Sequence, residues 1–198
     1  MHSVDYRSGR DYAGRRVLVV GAGNSGTEIA ADLVEQGASH VAIAIRTPPP
    51  VTSREVLGVP VQVWGIALSP FPARLVEPFA STMRKLATRD LPKYGIGEPG
   101  WSPLLARKPP VIDVGFLRQL RARRIQVRPD VARFEPGGIV FADGREEPFD
   151  AVVAATGFTT GLDELIDAPG GLDEHGLPRE MHPAAHPGLY FMGFVETV

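Results

Sequence analysis

The feature that most constrains the fold of this chain is a glycine-rich turn between two apolar segments. The turn, residues 21–26, reads Gly-Ala-Gly-Asn-Ser-Gly and directly follows an almost wholly apolar run at residues 16–20. A continuous apolar run bounded by glycine is typical of a strand buried on both faces of a parallel sheet. Residues 27–36 repeat apolar side chains at helical spacing, and Gly37 is placed to end that helix. Residues 40–45 form a second apolar run. The sequence therefore predicts a strand–helix–strand unit of about 31 residues, the size of a βαβ crossover.

Each of the three glycines in the turn has its own predicted role. Gly21 permits the tight turn, Gly23 lets the backbone approach a pyrophosphate, and Gly26 lets the helix pack closely against the strand. The helix N-terminus then offers free N–H groups and a partial positive charge to the phosphates. The alternative interpretation is an ordinary glycine-rich turn between a strand and a helix. The position of the motif between those two elements favours dinucleotide binding.

The residues after the second predicted strand indicate which nucleotide is bound. An NAD site places Asp or Glu there, about 20 residues past the glycines, to bind the ribose 2′-hydroxyl. This chain instead has Arg46, followed by Thr47, with Arg54 nearby. A guanidinium can donate two parallel hydrogen bonds to a 2′-phosphate, so NADPH is favoured over NADH, although a solvated arginine is the simpler alternative. Thr156 and Gly157 end a later apolar strand, where ligands of α/β sheets lie, but a Thr-Gly turn alone is a weak signal.

The remaining pattern predicts an α/β fold of three layers: a Rossmann-like dinucleotide-binding domain with a parallel sheet, helices and a small antiparallel β-meander. Asp113 is placed to cap a helix that begins near residue 116. The predicted organisation is a connector at residues 1–14, the nucleotide-binding domain at 15–158 with a helical insertion at about 48–110, and a return segment at 159–198. Further strands are expected at residues 125–128, 131–134, 138–144, 149–155 and 188–193, the first three of them antiparallel.

Composition excludes several other functions. The chain has no cysteine, so disulfides, thiolate metal sites and cysteine nucleophiles are excluded. The formal net charge of −2 provides no general reason to bind nucleic acid or an anionic membrane. No apolar stretch is long enough for a membrane span or a signal peptide, so a cytoplasmic location is expected by default. The five histidines do not have the spacing of a metal site.

Seven short motifs, spread over nearly the whole chain and in family order, resemble the flavin-containing monooxygenases, most closely bacterial relatives of the plant YUCCA-type branch. They are His-Ser-Val-Asp-Tyr-Arg-Ser-Gly at 2–9, Val-Leu-Val-Val-Gly-Ala-Gly-Asn-Ser-Gly-Thr-Glu-Ile-Ala at 17–30, Arg-Glu-Val-Leu-Gly at 54–58, Lys-Tyr-Gly at 93–95, Pro-Val-Ile-Asp-Val-Gly at 110–115, Asp-Ala-Val-Val-Ala-Ala-Thr-Gly-Phe at 150–158, and Pro-Gly-Leu-Tyr-Phe-Met-Gly-Phe at 187–194.

The resemblance implies an enzyme with two cofactors. NADPH would reduce FAD, and the reduced flavin would take up molecular oxygen to form a C4a-(hydro)peroxyflavin that oxygenates a small organic substrate. Thr156 and Gly157 would lie where the chain passes back toward the flavin domain, to which the turn at residues 193–194 would belong. By motif match, the NADPH-binding residues would be Gly21, Gly23, Asn24, Ser25, Gly26, Arg46 and Thr47.

The resemblance also has a large gap. The family's first glycine motif, which binds FAD, lies upstream of the motif that begins here at His2. The chain is therefore expected to be the NADPH-binding part of such a monooxygenase: a fragment, a truncated gene product or one half of a split enzyme. The expected assembly is with a partner chain that supplies the FAD domain, or as a homo-oligomer. The alternative is a stand-alone NADP-binding module without oxygenase activity. A disulfide-reductase relative is disfavoured because cysteine is absent, and a Baeyer–Villiger enzyme because Tyr6-Arg7 replaces the Trp-Pro of that group.

Overall fold

A computed structural model describes residues 1–56, 58–68, 70–106, 109–167, 170–174 and 176–193. It divides into two compact units, Met1–Thr156 and Gly157–Val198. The strands are β1 Arg16–Val20, β2 His40–Ala44, β3 Val51–Ser53, β4 Glu55–Val56, β5 Val59–Pro60, β6 Val111–Asp113, β7 Ile125–Arg128, β8 Val131–Glu135, β9 Gly138–Phe141, β10 Glu146–Glu147 and β11 Ala151–Ala154. The α-helices are α1 Asn24–Glu35, α2 Val61–Leu68, α3 Ala73–Thr88, α4 Pro103–Ala106, α5 Phe116–Arg121 and α6 Leu162–Leu165.

The first unit is built on a four-stranded parallel sheet in the order β11-β1-β2-β7. Strand β1 lies between β2 and β11, and α1 connects β1 to β2, as the glycine motif predicts. Strands β8, β9 and β10 form a separate antiparallel meander. The α/β class and the Rossmann-like arrangement expected from the sequence are therefore confirmed.

Both faces of the parallel sheet are covered, which explains why its strands read as unbroken apolar runs. On β1, Val17 and Val19 point into a cluster that includes Ile29 of α1 and Phe116 of α5. Leu18 points to the opposite face, where Ile139 and Phe141 of the meander pack against it and against Ala42 and Ala44 of β2. Because side chains alternate along the strand, β1 contributes to a hydrophobic core on each face of the sheet, and the sheet is the middle of three layers.

Local signals in the sequence end α1 and begin α5. Gly37 has a φ of +91°, and its N–H donates to the carbonyl of Val34, while the N–H of Ala38 donates to that of Leu33. These two bonds form a Schellman motif that satisfies the last carbonyls of α1. At α5, the N-cap position is Gly115, and the Asp113 carboxylate two residues earlier accepts a hydrogen bond of 2.9 Å from the Leu117 N–H. Asp113 therefore satisfies a first-turn N–H of this helix, as predicted, from outside the N-cap position.

Two strand predictions are wrong. Residues 125–128 form β7, which pairs parallel to β2 rather than antiparallel to β8, because the chain returns to the central sheet after α5. Residues 188–193 form no strand. There, the Phe191 N–H donates to the carbonyl of Met181, and a single backbone bond between neighbouring segments does not establish a strand ladder.

The first residues of the chain pack against α1. The Tyr6 hydroxyl donates a hydrogen bond of 2.7 Å to Asp32, and the Gly9 N–H donates to the same carboxylate oxygen at 2.8 Å. Burial and the Asp32 carboxylate raise the pKa of Tyr6 well above its ordinary value. A Cβ on Gly9 would lie 2.9 Å from the Asp32 carbonyl oxygen, so only glycine fits this approach without displacement. Tyr6 and Gly9 of the early motif thus have structural partners on α1.

Residues 48–110 contain α2, α3, a hairpin of β4 and β5, and β3, which pairs parallel to β6. Helix α3 continues through Pro78, whose carbonyl accepts hydrogen bonds from the hydroxyls of Ser81 and Thr82. Phe71 and Phe79 are 58% and 53% exposed, as expected for aromatic side chains that a partner domain would cover. The sequence also predicts that Trp64 and Phe194 lack cover in the absence of a partner domain. Trp64 is half-buried, and Phe194 lies outside the described residues.

Candidate functional site

The candidate site lies at the carboxyl edge of the parallel sheet, where three strands end around Gly21. The Gly21 N–H donates to the carbonyl of Ala44 at the end of β2, at 3.0 Å. The Ala155 N–H, just after β11, donates to the carbonyl of Val20 at 2.8 Å. Helix α1 leaves β1 toward β2, while β11 lies on the other side of β1. This point is where strand order reverses, and in α/β sheets ligands bind in the crevice at such a point.

Gly21 and Gly26 are required by the backbone itself. Gly21 has a φ of +103°, and a Cβ there would lie 2.4 Å from the carbonyl oxygen of Ala155. A Cβ on Gly26 would lie 2.0 Å from the carbonyl oxygen of Gly21. Both distances are far below a van der Waals contact, and the atoms met are backbone atoms. The turn and the close packing of α1 on β1 therefore exclude any side chain at these two positions.

Gly23 differs from its two neighbours in the motif. It has a φ of −76°, and no atom lies within 4 Å of a Cβ built on it. It is the N-cap of α1 and provides no side-chain hydrogen bond to the first turn of that helix. The turn thus presents an exposed backbone and an uncapped helix N-terminus, which is the arrangement that binds phosphate groups.

The Asn24 side chain holds two parts of the chain together. Its Oδ1 accepts a hydrogen bond of 2.8 Å from the Ile112 N–H, and its Nδ2 donates to the carbonyl of Pro110 at 3.3 Å. Both groups of the amide are therefore engaged by the segment that forms β6. Ser25 is exposed beside it. The motif predicts that both residues bind the nucleotide, and it does not indicate the connection to β6, because no local pattern encodes a contact over 88 residues.

We expect Asn24→Ala to loosen β6 without altering the glycine turn. Two hydrogen bonds would be lost at an exposed position where water can replace them, so the free energy of unfolding should fall by about 1 kcal/mol. Amide hydrogen exchange at Ile112 should accelerate in the variant. Ser25→Ala is the matched control, and an equal effect of both substitutions would show that the Asn24 amide does not hold β6.

Thr27 is a further residue that the sequence did not single out. It is 1% exposed, and its hydroxyl donates toward the carbonyls of Gly23 and Asn24, at 3.1 and 3.0 Å. The hydroxyl is thus satisfied inside the first turn of α1. The position of Thr27 could have identified it, because Thr27 follows Gly26, the last glycine of the motif, where α1 packs closely against the sheet.

The other predicted site residues fall into two groups. Arg46 and Thr47 are exposed and lie two and three residues after Ala44, the last residue of β2, whose carbonyl accepts the Gly21 N–H. The exposed Thr156 follows Ala155 at the same edge of the sheet. The exposed Arg54 follows β3, the strand that pairs with β6. Gly157 has a φ of +102° and begins the second unit. The edge thus brings together the predicted residues Gly21, Gly23, Gly26, Arg46, Thr47 and Thr156.

The described residues contain no cluster of three His, Asp or Glu side chains that could hold a metal ion. None of the helices within the described ranges is both long enough and apolar enough to cross a membrane.

Comparison with known proteins identifies the family. The model of the flavin-binding monooxygenase-like family matches residues 1–168. The chain belongs to this family. An indole-3-pyruvate monooxygenase of the YUCCA type from Oryza sativa subsp. indica is 36% identical over 98% of this chain, and a probable one from Arabidopsis thaliana is 37% identical over 98%. The chain spans about half the length of these relatives, 49% and 52% respectively.

Solved structures show the same fold. A mutant of the flavin monooxygenase from Stenotrophomonas maltophilia superimposes on 98% of this chain and 46% of its own, with a TM-score of 0.59 and 24% identity. A cyclohexanone-bound cyclohexanone monooxygenase covers 90% of this chain and 46% of its own, with a TM-score of 0.56 and 18% identity. These structural neighbours support the Rossmann-like assignment of the fold.

Proposed function

We propose that this chain is the NADPH-binding part of an FAD- and NADPH-dependent monooxygenase that oxygenates a small organic substrate. The observation that carries the proposal is the backbone cradle at Gly21, Gly23 and Gly26, with its open approach at Gly23 and the uncapped N-terminus of α1. A pyrophosphate placed there would receive helix N–H groups and the positive end of the helix dipole. The family membership supports the use of flavin and NADPH.

Arg46 and Thr47 support NADPH rather than NADH. They follow the strand whose last carbonyl binds Gly21, which is where the ribose of a nucleotide bound to this turn would lie. The exposed guanidinium of Arg46 could donate two hydrogen bonds to a 2′-phosphate. Thr156, at the same edge, would face the cofactor from β11.

The described residues fit one dinucleotide, not two. Within the described ranges, the order of strand, Gly-x-Gly-x-x-Gly turn and helix occurs once, at β1 and α1. FAD, which supplies the oxygen chemistry in this family, would be held by protein segments other than these. The role of this chain in the enzyme is to bind and orient NADPH. A stand-alone NADP-binding module of cytoplasmic location, without oxygenase activity, is the second candidate, because one cradle suffices for it.

A titration of the purified chain with NADPH and NADH tests the proposal. Calorimetry should detect binding of both nucleotides, with NADPH the tighter ligand, and the purified chain should show no flavin absorption band. Absence of NADPH binding would overturn the proposal. NADPH-dependent peroxide formation after addition of FAD would exclude the stand-alone module and would place the flavin site on this chain.

The outer face of α3 supports association of this chain with a further copy. Leu75, Phe79 and Leu86 lie on one side of the helix and are 73%, 53% and 57% exposed. An apolar stripe of this kind is unusual for a helix surrounded by water. We expect concentration-dependent self-association in sedimentation velocity, reduced by the double variant Leu75→Ser, Phe79→Ser.

Phe134→Ser is the control for this prediction, because Phe134 is 64% exposed on β8, outside the α3 stripe. It should leave the association unchanged. A chain that stays monomeric at every concentration would contradict the prediction.

A further inference from the structure

His40, the first residue of β2, lies where the antiparallel meander of β8, β9 and β10 joins the parallel sheet. The centre of its ring is 5.8 Å from that of Phe149, and the two ring planes are 37° apart. Phe149 in turn contacts the ring of Phe141 edge-on, at 6.3 Å. Phe141 belongs to β9 and to the hydrophobic core on that face of the sheet. The His40 ring is therefore one of the contacts that attach the meander to the sheet.

The surroundings of the His40 ring fit its neutral form and not its charged form. The Nε2 atom is buried and has no hydrogen-bond partner among the described residues. A neutral imidazole carries a hydrogen on one nitrogen, whereas an imidazolium has two N–H donors that both need acceptors. A charged donor that is buried without an acceptor is costly. Protonation of His40 in the folded state is therefore opposed by the geometry of its site.

The charges around His40 also oppose a positive ring. Arg16 of β1 lies over the Phe149 ring, 5.9 Å from its centre, so a cation already occupies that aromatic ring. Arg128 of β7 is a second cation near His40. The carboxylate that faces His40 is Glu147 of β10, and its two oxygens accept hydrogen bonds from Arg128 at 2.7 and 3.1 Å. This carboxylate is thus already bound in a bidentate ion pair.

The effect of pH on these contacts has a definite sign. Burial lowers the pKa of His40 below its ordinary value, Arg16 and Arg128 lower it further, and Glu147 acts in the opposite direction. Asp150, on the connection to β11, is engaged by the backbone N–H of Arg16 at 2.7 Å. The stabilising contribution of the neutral ring is complete above the ordinary pKa of histidine, near pH 6.5, and is lost as the pH falls toward the lowered pKa.

We propose that His40 makes the attachment of the meander to the parallel sheet sensitive to pH. In mildly acidic solution the ring takes up a proton and leaves its contact with Phe149, and the meander opens away from the sheet. The apolar face that includes Leu18 and Ala42 becomes accessible in this open state. Histidine is the side chain suited to such a switch, because its charge changes between pH 5 and 8. The inference stands apart from the proposed nucleotide function, since its measurement requires no cofactor.

Amide hydrogen exchange of the full chain at about pH 7.5 and 5.5 tests the proposal, with rates corrected for the intrinsic effect of pH. Protection at the Phe141 N–H, which donates to the carbonyl of Arg145, should fall about three- to tenfold at the lower pH. Tenfold is the upper limit, because one proton bound at a pKa near 6.5 supplies one factor of ten at pH 5.5. Val19 of the central strand β1 should stay more protected than Phe141 at both pH values, because the meander opens while the sheet remains folded.

A substitution that removes the titrating group tests the role of His40. His40→Phe keeps an aromatic ring against Phe149 and suits a strand, so the protection of Phe141 at the two pH values should agree within about twofold. His40→Gln is a second variant that stays neutral and should give the same result if the larger ring of His40→Phe disturbs the packing. His182→Phe is the matched control, because His182 is exposed and belongs to the second unit, where it stacks on Tyr190 at 4.5 Å. It should keep the full response to pH.

Three results would overturn the proposal. Constant protection of Phe141 between the two pH values in the unaltered chain would show that the site tolerates a charged ring. A response retained in both His40 variants would assign it to another group. Equal protection of Phe141 and Val19 at the lower pH would show that the meander and the sheet unfold together. NADPH enters none of these measurements, so their outcome is independent of the nucleotide proposal.

Discussion

Gly26→Ala is expected to destabilise the protein strongly, whereas Gly23→Ala is expected to preserve the fold and lose NADPH. At Gly26 the added Cβ would lie 2.0 Å from the backbone oxygen of Gly21, so α1 and β1 would have to separate. Overpacking against backbone should lower the free energy of unfolding by about 3 kcal/mol. For a chain of this size, the corresponding fall in Tm is about 6–12 °C.

At Gly23 the same methyl group meets no protein atom within 4 Å, and the backbone, with φ at −76°, suits alanine. Thermal unfolding should therefore change by less than about 3 °C. The methyl group would instead occupy the space through which the pyrophosphate approaches, and NADPH affinity should fall at least about tenfold. Calorimetry with NADPH and a melting curve, measured on both variants, separate the two effects.

The two glycine variants separate a loss of NADPH binding from a loss of the fold. Loss of NADPH binding in a folded Gly23→Ala variant can be attributed to the site, since the fold is unchanged. If Gly23→Ala bound NADPH as tightly as the unaltered chain, the turn would be an ordinary connection between a strand and a helix. If Gly26→Ala melted at the normal temperature, the close packing of α1 on β1 would be wrong.

The sequence was sufficient to predict the elements around the turn, because their signals are local. Apolar runs mark β1 and β2, Gly37 marks the end of α1, and Asp113 marks the start of α5. Each depends on residues a few positions apart and on backbone preferences that hold in any context.

The direction of β7 could not be predicted in the same way. Residues 125–128 alternate polar and apolar side chains, which also suits an antiparallel strand, and only pairing with β2 decides between the two. The Asn24 amide and the Glu77–Arg84 ion pair within α3 are similar cases. The first spans 88 residues and the second depends on which face of α3 turns inward, and both follow from tertiary packing.

Arg46→Ala is expected to remove most of the preference for NADPH over NADH. A guanidinium bound to a 2′-phosphate contributes roughly 1.5–3 kcal/mol, so NADPH affinity should fall about 10- to 100-fold while NADH affinity stays nearly constant. Arg46→Lys should give an intermediate value, because lysine keeps the charge but not the paired donors. Arg54→Ala is the comparison, since Arg54 follows β3 rather than β2 and should affect NADPH less than twofold.

A charge reversal at Arg46 is expected to change the nucleotide preference from NADPH to NADH. In Arg46→Asp, the carboxylate would accept a hydrogen bond from the ribose 2′-hydroxyl of NADH and repel the 2′-phosphate of NADPH. The ratio of the two dissociation constants should therefore invert. An unchanged ratio in Arg46→Ala and in Arg46→Asp would assign the arginine to solvent. A loss with Arg54→Ala equal to that with Arg46→Ala would instead place a second cation at the phosphate.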